Sequence, residues 1–137
     1  MHHRHFRLLA LAAVSASIAL VWALPAFAHQ SRAAGTTVTV TAGKPSELAF
    51  TLSTKSVKHG AVTFKITNKG ALAHDFKVCS SNKGGTANSC AGKGTSLIQP
   101  GKSATLTITF AKAGKYEYLC TQPGHAGAGM KGDLTVS

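Results

Sequence analysis

The sequence predicts an all-β protein, an antiparallel Greek-key β-sandwich of seven to eight strands spanning residues 36–137. Three observations carry this. Apolar residues recur at every second position in short runs, as in Val62, Phe64 and Ile66, or Leu106, Ile108 and Phe110. That is the period of a strand with one buried face. Clusters of Gly, Pro and Asn separate the runs, and no stretch beyond residue 35 has a helical period. Many short strands punctuated by turns form a sandwich rather than a bundle.

The elements follow in order. Thr36 to Thr41 alternates threonine with valine and opens the first strand. Gly43-Lys44-Pro45-Ser46 is a turn, and Leu48, Phe50 and Leu52 then share a face. After the Lys58-His59-Gly60 turn, Val62 to Thr67 is a half-buried strand ended by Asn68-Lys69-Gly70. His74, Phe76 and Val78 place one face of the next strand toward the core. A polar loop from Cys79 to Cys90 continues through Gly94, and Leu97-Ile98 is a brief apolar patch. Past the Gln99-Pro100-Gly101 turn come Leu106 to Phe110, then Tyr116 to Cys120, and Asp133 to Val136 closes the domain. There is no internal repeat and no second domain.

The first 28 residues read differently. A basic start with Arg4 and Arg7 leads into an almost wholly apolar run, Leu8 to Leu24, and then Pro25-Ala26-Phe27-Ala28. This is the pattern of a secretory signal peptide cleaved before His29. The apolar run approaches the roughly 20 residues that span a bilayer, so an uncleaved anchor is the alternative. The helix-breaking Pro25 and the small-x-small site favour cleavage, leaving no stable membrane span. Residues 29–35 form a polar lead-in, and a periplasmic or secreted location is expected.

Without Arg4 and Arg7, 13 Lys and Arg stand against four acidic residues, Glu47, Asp75, Glu117 and Asp133, a balance of +9. The lysines are scattered and do not interleave with aromatics, which argues against nucleic-acid binding. A basic surface keeps a protein soluble and can steer it to an acidic partner or an anionic membrane.

The chemistry concentrates in Cys120-x4-His125-x4-Met130, directly after the strand Tyr116-Glu117-Tyr118-Leu119. Thiolate, imidazole and thioether are soft or borderline metal donors. Two imidazoles, a thiolate and a weak axial Met make up a blue-copper electron-transfer site. His74 is the candidate for the second imidazole. Zinc is the rival metal, since Cys and His bind it well, but a thioether suits it poorly.

These motifs, with the upstream Asn68-x-Gly70-x-x-x-His74-Asp75-Phe76, resemble those of the cupredoxins, the plastocyanin/azurin/rusticyanin-like blue type 1 copper proteins. The loop spacing is most similar to the rusticyanin type. The resemblance implies one type 1 copper held by His74, Cys120, His125 and Met130, in a one-electron carrier that is not an enzyme. It also implies that the Asp75 N–H donates to the Cys120 sulfur and that Asp75 and Thr121 bond across the two ligand loops. Pro123 and Gly124 would shape the turn to His125, and Gly127 and Gly129 the turn to Met130. Electrons would pass at the edge of His125, among Ala71, Leu72, Ala73, Pro123, Ala126, Gly127 and Ala128, where redox partner proteins would dock on a monomer. If Cys120 holds metal, Cys79 and Cys90 are left to bridge each other in an oxidising compartment. The alternative, a metal-ligating Cys79 or Cys90, lacks a His or Met at useful spacing. Two other functions remain in view: copper trafficking or tolerance at an exchangeable site, and a metal-free interaction module.

Overall fold

The computed structural model describes residues 35–85 and 90–137. The expected signal peptide, 1–28, and residues 29–34 of the lead-in lie outside the described residues. Nine strands are present among the described residues: β1 (Thr36–Ala42), β2 (Phe50–Leu52), β3 (Ser56–Val57), β4 (Gly60–Asn68), β5 (Lys77–Cys79), β6 (Gly92–Gly94), β7 (Ser103–Phe110), β8 (Gly114–Leu119) and β9 (Lys131–Val136). They form a four-stranded sheet, β2-β1-β4-β7, and a five-stranded sheet, β3-β9-β8-β5-β6.

The period-two runs become the inner faces of these sheets. Val38 and Val40 of β1, Val62, Phe64 and Ile66 of β4, Tyr116 and Tyr118 of β8, and Leu134 and Val136 of β9 are buried in one core. Phe76 lies at its centre, its ring 5.2 Å from Phe50, 5.3 Å from Phe64 and 5.5 Å from Tyr118 between centroids. Each such side chain removes a large apolar area from water, worth about 1.5–3 kcal/mol when fully buried. The outward faces of β4 and β7 are threonine-rich, and Thr63 and Thr67 bond across to Thr107 and Ser103.

Two details depart from the expected antiparallel sandwich of seven to eight strands. β1 pairs with β4 in parallel, and β3 with β9 in parallel. Between β2 and β4 the chain crosses to the other sheet through β3, so no hairpin forces β4 to oppose β1. Alternation shows which residues face inward but is blind to strand direction. The short strands β3 and β6 carry no such alternation. β6 is Gly92-Lys93-Gly94, a poor strand by propensity, paired with β5 from Lys77 to Cys79. A Cβ at Gly92 would collide with the carbonyl of Val78, so this close approach requires glycine.

Cys79 and Cys90 form a disulfide, as expected. Closing an 11-residue separation restricts the unfolded chain by about 3 kcal/mol. Replacing both cysteines with serine should lower the unfolding free energy by about that amount in a urea titration. A loss under about 1 kcal/mol would mean that the β5–β6 pairing holds the loop without the bridge.

Glu117 and Asp133 stand directly opposite each other on β8 and β9. Glu117 is 3% exposed, and its Oε1 and the Oδ1 of Asp133 have no hydrogen-bond partner among the described residues. Burial pushes the Glu117 carboxyl above its ordinary value of 4.5; Lys131 pulls it down and Asp133 raises it further. A carboxyl raised in the folded state is tolerated best when protonated. Its folding stability is therefore full below about 4.5 and declines as pH rises through the folded-state value. Glu117→Gln should raise the melting temperature more at pH 7 than at pH 4. An equal gain at both would show that packing, not charge, sets the cost.

Candidate metal centre

Two loops at one end of the sandwich build the site. The first runs from the end of β4 to β5. Asn68, fully buried, donates from its amide to the carbonyls of Leu72 and Ile98 at 2.7 and 2.8 Å and accepts from Gly70 N–H at 2.9 Å. His74 then forms a two-way backbone bridge with Ile98, with N–O distances of 3.1 and 2.7 Å. Its ring is wholly buried. The Asn-x-Gly of the motif is thus the staple that delivers His74 into the interior.

The second loop joins β8 to β9. Cys120, buried just past β8, donates its N–H to the Met130 carbonyl at 3.0 Å, and Met130 N–H donates to the His125 carbonyl at 2.9 Å. His125 N–H to Gln122 O and Ala128 N–H to Gly124 O complete a coil held by its own backbone. Gly124 and Gly129 adopt φ of 81° and 107°, a region that disfavours side chains. Gly127, expected to share this role, does not have a positive φ. Met130 is fully buried and packs in one cluster with Cys120 and Ala42.

These loops bring three donors together. His74 Nδ1 lies 3.2 Å from His125 Nδ1 and 3.9 Å from Cys120 Sγ, and His125 Nδ1 lies 3.5 Å from that sulfur. A point equidistant from the three is about 2 Å from each, close to a metal–imidazole bond length. The triangle therefore fits one small metal ion. His125 is the most open of the three and is bordered by exposed Pro123, Gly124, Gly127 and Ala128.

Burial and hydrogen bonding act on the sulfur in opposite directions. Burial pushes the Cys120 thiol up to about 11, opposed by the backbone N–H groups of Asp75 and Gln122, which favour the thiolate. The Asp75 N–H reaches the sulfur as expected. The Asp75 carboxylate accepts from Thr121 N–H at 2.6 Å and from the Thr121 hydroxyl, which locks the two loops in register.

One participant was not legible in the sequence. Glu47, in the loop between β1 and β2, places Oε1 2.9 Å from His74 Nε2 and 2.8 Å from Leu72 N, and Oε2 2.9 Å from Ala71 N. The Ala71 and Leu72 N–H groups, then His74, hold this carboxyl down to about 2. No local signal marks Glu47, which lies 27 positions before His74; only the fold brings the two together.

A small β-sandwich with a buried Cys-His2 triangle and a neighbouring Met defines the class of mononuclear blue-copper proteins. This chain belongs to the copper binding proteins of the plastocyanin/azurin family, whose pattern matches residues 36–137. Copper is its metal. Copper-resistant cuproprotein CopI of Pseudomonas aeruginosa is 60% identical over 40 residues, 29% of this chain and 22% of that protein. Auracyanin-B of Chloroflexus aurantiacus is 46% identical over 43 residues, 31% of this chain and 18% of that protein. The chain thus aligns to about a fifth of these relatives' lengths. A solved structure of auracyanin B superposes with a TM-score of 0.59 at 26% identity, covering 74% of this chain and 88% of that one. Rusticyanin from Thiobacillus ferrooxidans superposes with a TM-score of 0.56 at 26% identity, covering 76% and 79%.

The loop clamp is open to test. Asp75→Ala removes an ionised acceptor of two hydrogen bonds and should destabilise the metal-free domain by about 3 kcal/mol. Thr121→Val keeps the N–H bond and should cost about half as much. Equal losses in denaturant titrations of the two variants would put the clamp's whole strength in the hydroxyl.

Proposed function

We propose that this chain is an exported one-electron carrier in which His74 Nδ1, His125 Nδ1 and Cys120 Sγ hold one type 1 copper, with Met130 as the axial ligand. The observation that carries the reading is the 3.2, 3.5 and 3.9 Å triangle of donor atoms, set by backbone and carboxylate bonds. Copper held there supplies a one-electron couple. The chain keeps the donors in place while charge changes: a bridge to Ile98 anchors His74, and the Met130 carbonyl anchors Cys120. A site that moves little between its two states exchanges electrons with little reorganisation.

His125 would be the electron port. Leu72 and Leu97, at 50% and 45% exposure, are the large hydrophobics most open to water among the described residues, and each lies within two positions of the His74–Ile98 bridge. An apolar rim beside His125 suits a small, short-lived redox contact. Most of the lysines are exposed, while Glu47 and Asp75 are engaged at the loop clamps and Glu117 is buried within the fold, which favours an acidic partner. The signal-like residues 1–28 support a periplasmic or secreted location.

A second reading has its own support. The 40-residue match to a protein named for copper resistance favours copper handling, in which the metal is exchanged rather than cycled.

The deciding experiment is the visible and electron paramagnetic resonance spectrum of the Cu(II)-loaded protein beside Cys120→Ser. An intense blue thiolate-to-copper band with narrow hyperfine splitting, lost in the variant, is expected. Repeated ascorbate reduction and reoxidation should leave copper content unchanged. A pale spectrum indifferent to the substitution would end the carrier reading, and copper loss on each reduction would favour handling.

A further inference from the structure

Glu47 is absent from the ligand motif, yet its carboxylate touches both the His74 ring and the loop that carries it. Oε1 receives His74 Nε2 and Leu72 N–H, and Oε2 receives Ala71 N–H. Room is made for it: a Cβ on Gly70 would overlap the carboxylate, with Glu47 Cδ at 2.9 Å. Three donors and a glycine floor form a built cradle, not a chance surface contact.

We infer that Glu47 is a positioning residue of the copper centre, fixing His74 as the Nε2–H tautomer and biasing the site toward the oxidised metal. The inference rests on the proposed copper ligation by His74. A carboxylate only accepts, so in the neutral ring the hydrogen must sit on Nε2. This leaves the Nδ1 lone pair facing Cys120 and His125, the orientation the site needs. An imidazole whose far N–H meets a carboxylate is also a stronger donor, and the negative charge behind the ring stabilises Cu(II) over Cu(I). Partners of this kind typically contribute 10–100-fold in metal affinity.

The first test needs no substitution. In the metal-free protein, long-range proton–nitrogen correlation should show His74 protonated at Nε2 and bare at Nδ1. A proton on Nδ1 alone would overturn the inference. The second test compares Glu47→Gln with wild type by protein-film voltammetry and Cu(II) competition. The variant should keep the blue band while its Cu(II) affinity falls about tenfold or more. A tenfold loss borne by Cu(II) alone raises a one-electron potential by ~59 mV. Gly70→Ala, which displaces the carboxylate without removing it, should shift the potential in the same direction. A blue wild type whose potential and affinity are unchanged in Glu47→Gln would overturn the Glu47 role alone. A wild type that forms no blue band would overturn the copper-ligand reading and the inference with it.

Discussion

Two imidazole nitrogens and a thiol within 4 Å of one another, all at the buried end of a sandwich, are an unfavourable cluster for an unaided chain. Each polar group gives up water, and burial opposes ionisation of the thiol. The site therefore depends on bonds that hold the two loops whether or not metal is bound. The Asp75 clamp on Thr121 is foremost among them, because it crosses between the loops. It sets the distance between His74 and Cys120, one residue from each. Without it the direct link between the loops would rest on the weaker contact of the Asp75 N–H with the Cys120 sulfur.

Carboxylates serve this protein in an unusual way. There are only four, set against 15 Lys and Arg in the whole chain. Glu47 and Asp75 each organise a ligand loop, and Glu117 and Asp133 face each other across β8 and β9. Glu117 has Lys131 close by, and most of the other lysines are exposed. The same shortage that makes the surface basic leaves two of the four carboxylates at the metal centre, so ligand positioning and surface charge are linked through composition.

The sandwich supplies the rigidity that the loops exploit. β8 carries Tyr116 and Tyr118 into the aromatic core and ends one residue before Cys120. β5 begins one residue after Phe76, whose ring contacts Phe50, Phe64 and Tyr118. Both ligand loops are thus tethered to the most tightly packed part of the molecule. The rim at His125, lined with small exposed residues, opens to solvent.

What the sequence determined by itself was local. Alternation placed β1, β4, β7, β8 and β9, because a half-buried strand must repeat at two. The ligand loop was legible because Cys120, His125 and Met130 are close along the chain and their chemistry is distinctive. The Cys79–Cys90 bridge followed once Cys120 was set aside. Tertiary structure alone decided the rest. Strand direction in the β1–β4 and β3–β9 pairs leaves no trace in side-chain period. β6 forms only because β5 offers it a ladder and Gly92 can approach. The positive φ at Gly129 rather than Gly127 depends on how the coil closes. Glu47 meets His74 because the β1–β2 loop folds over the end of β4, a contact between segments far apart in sequence that no spacing rule encodes.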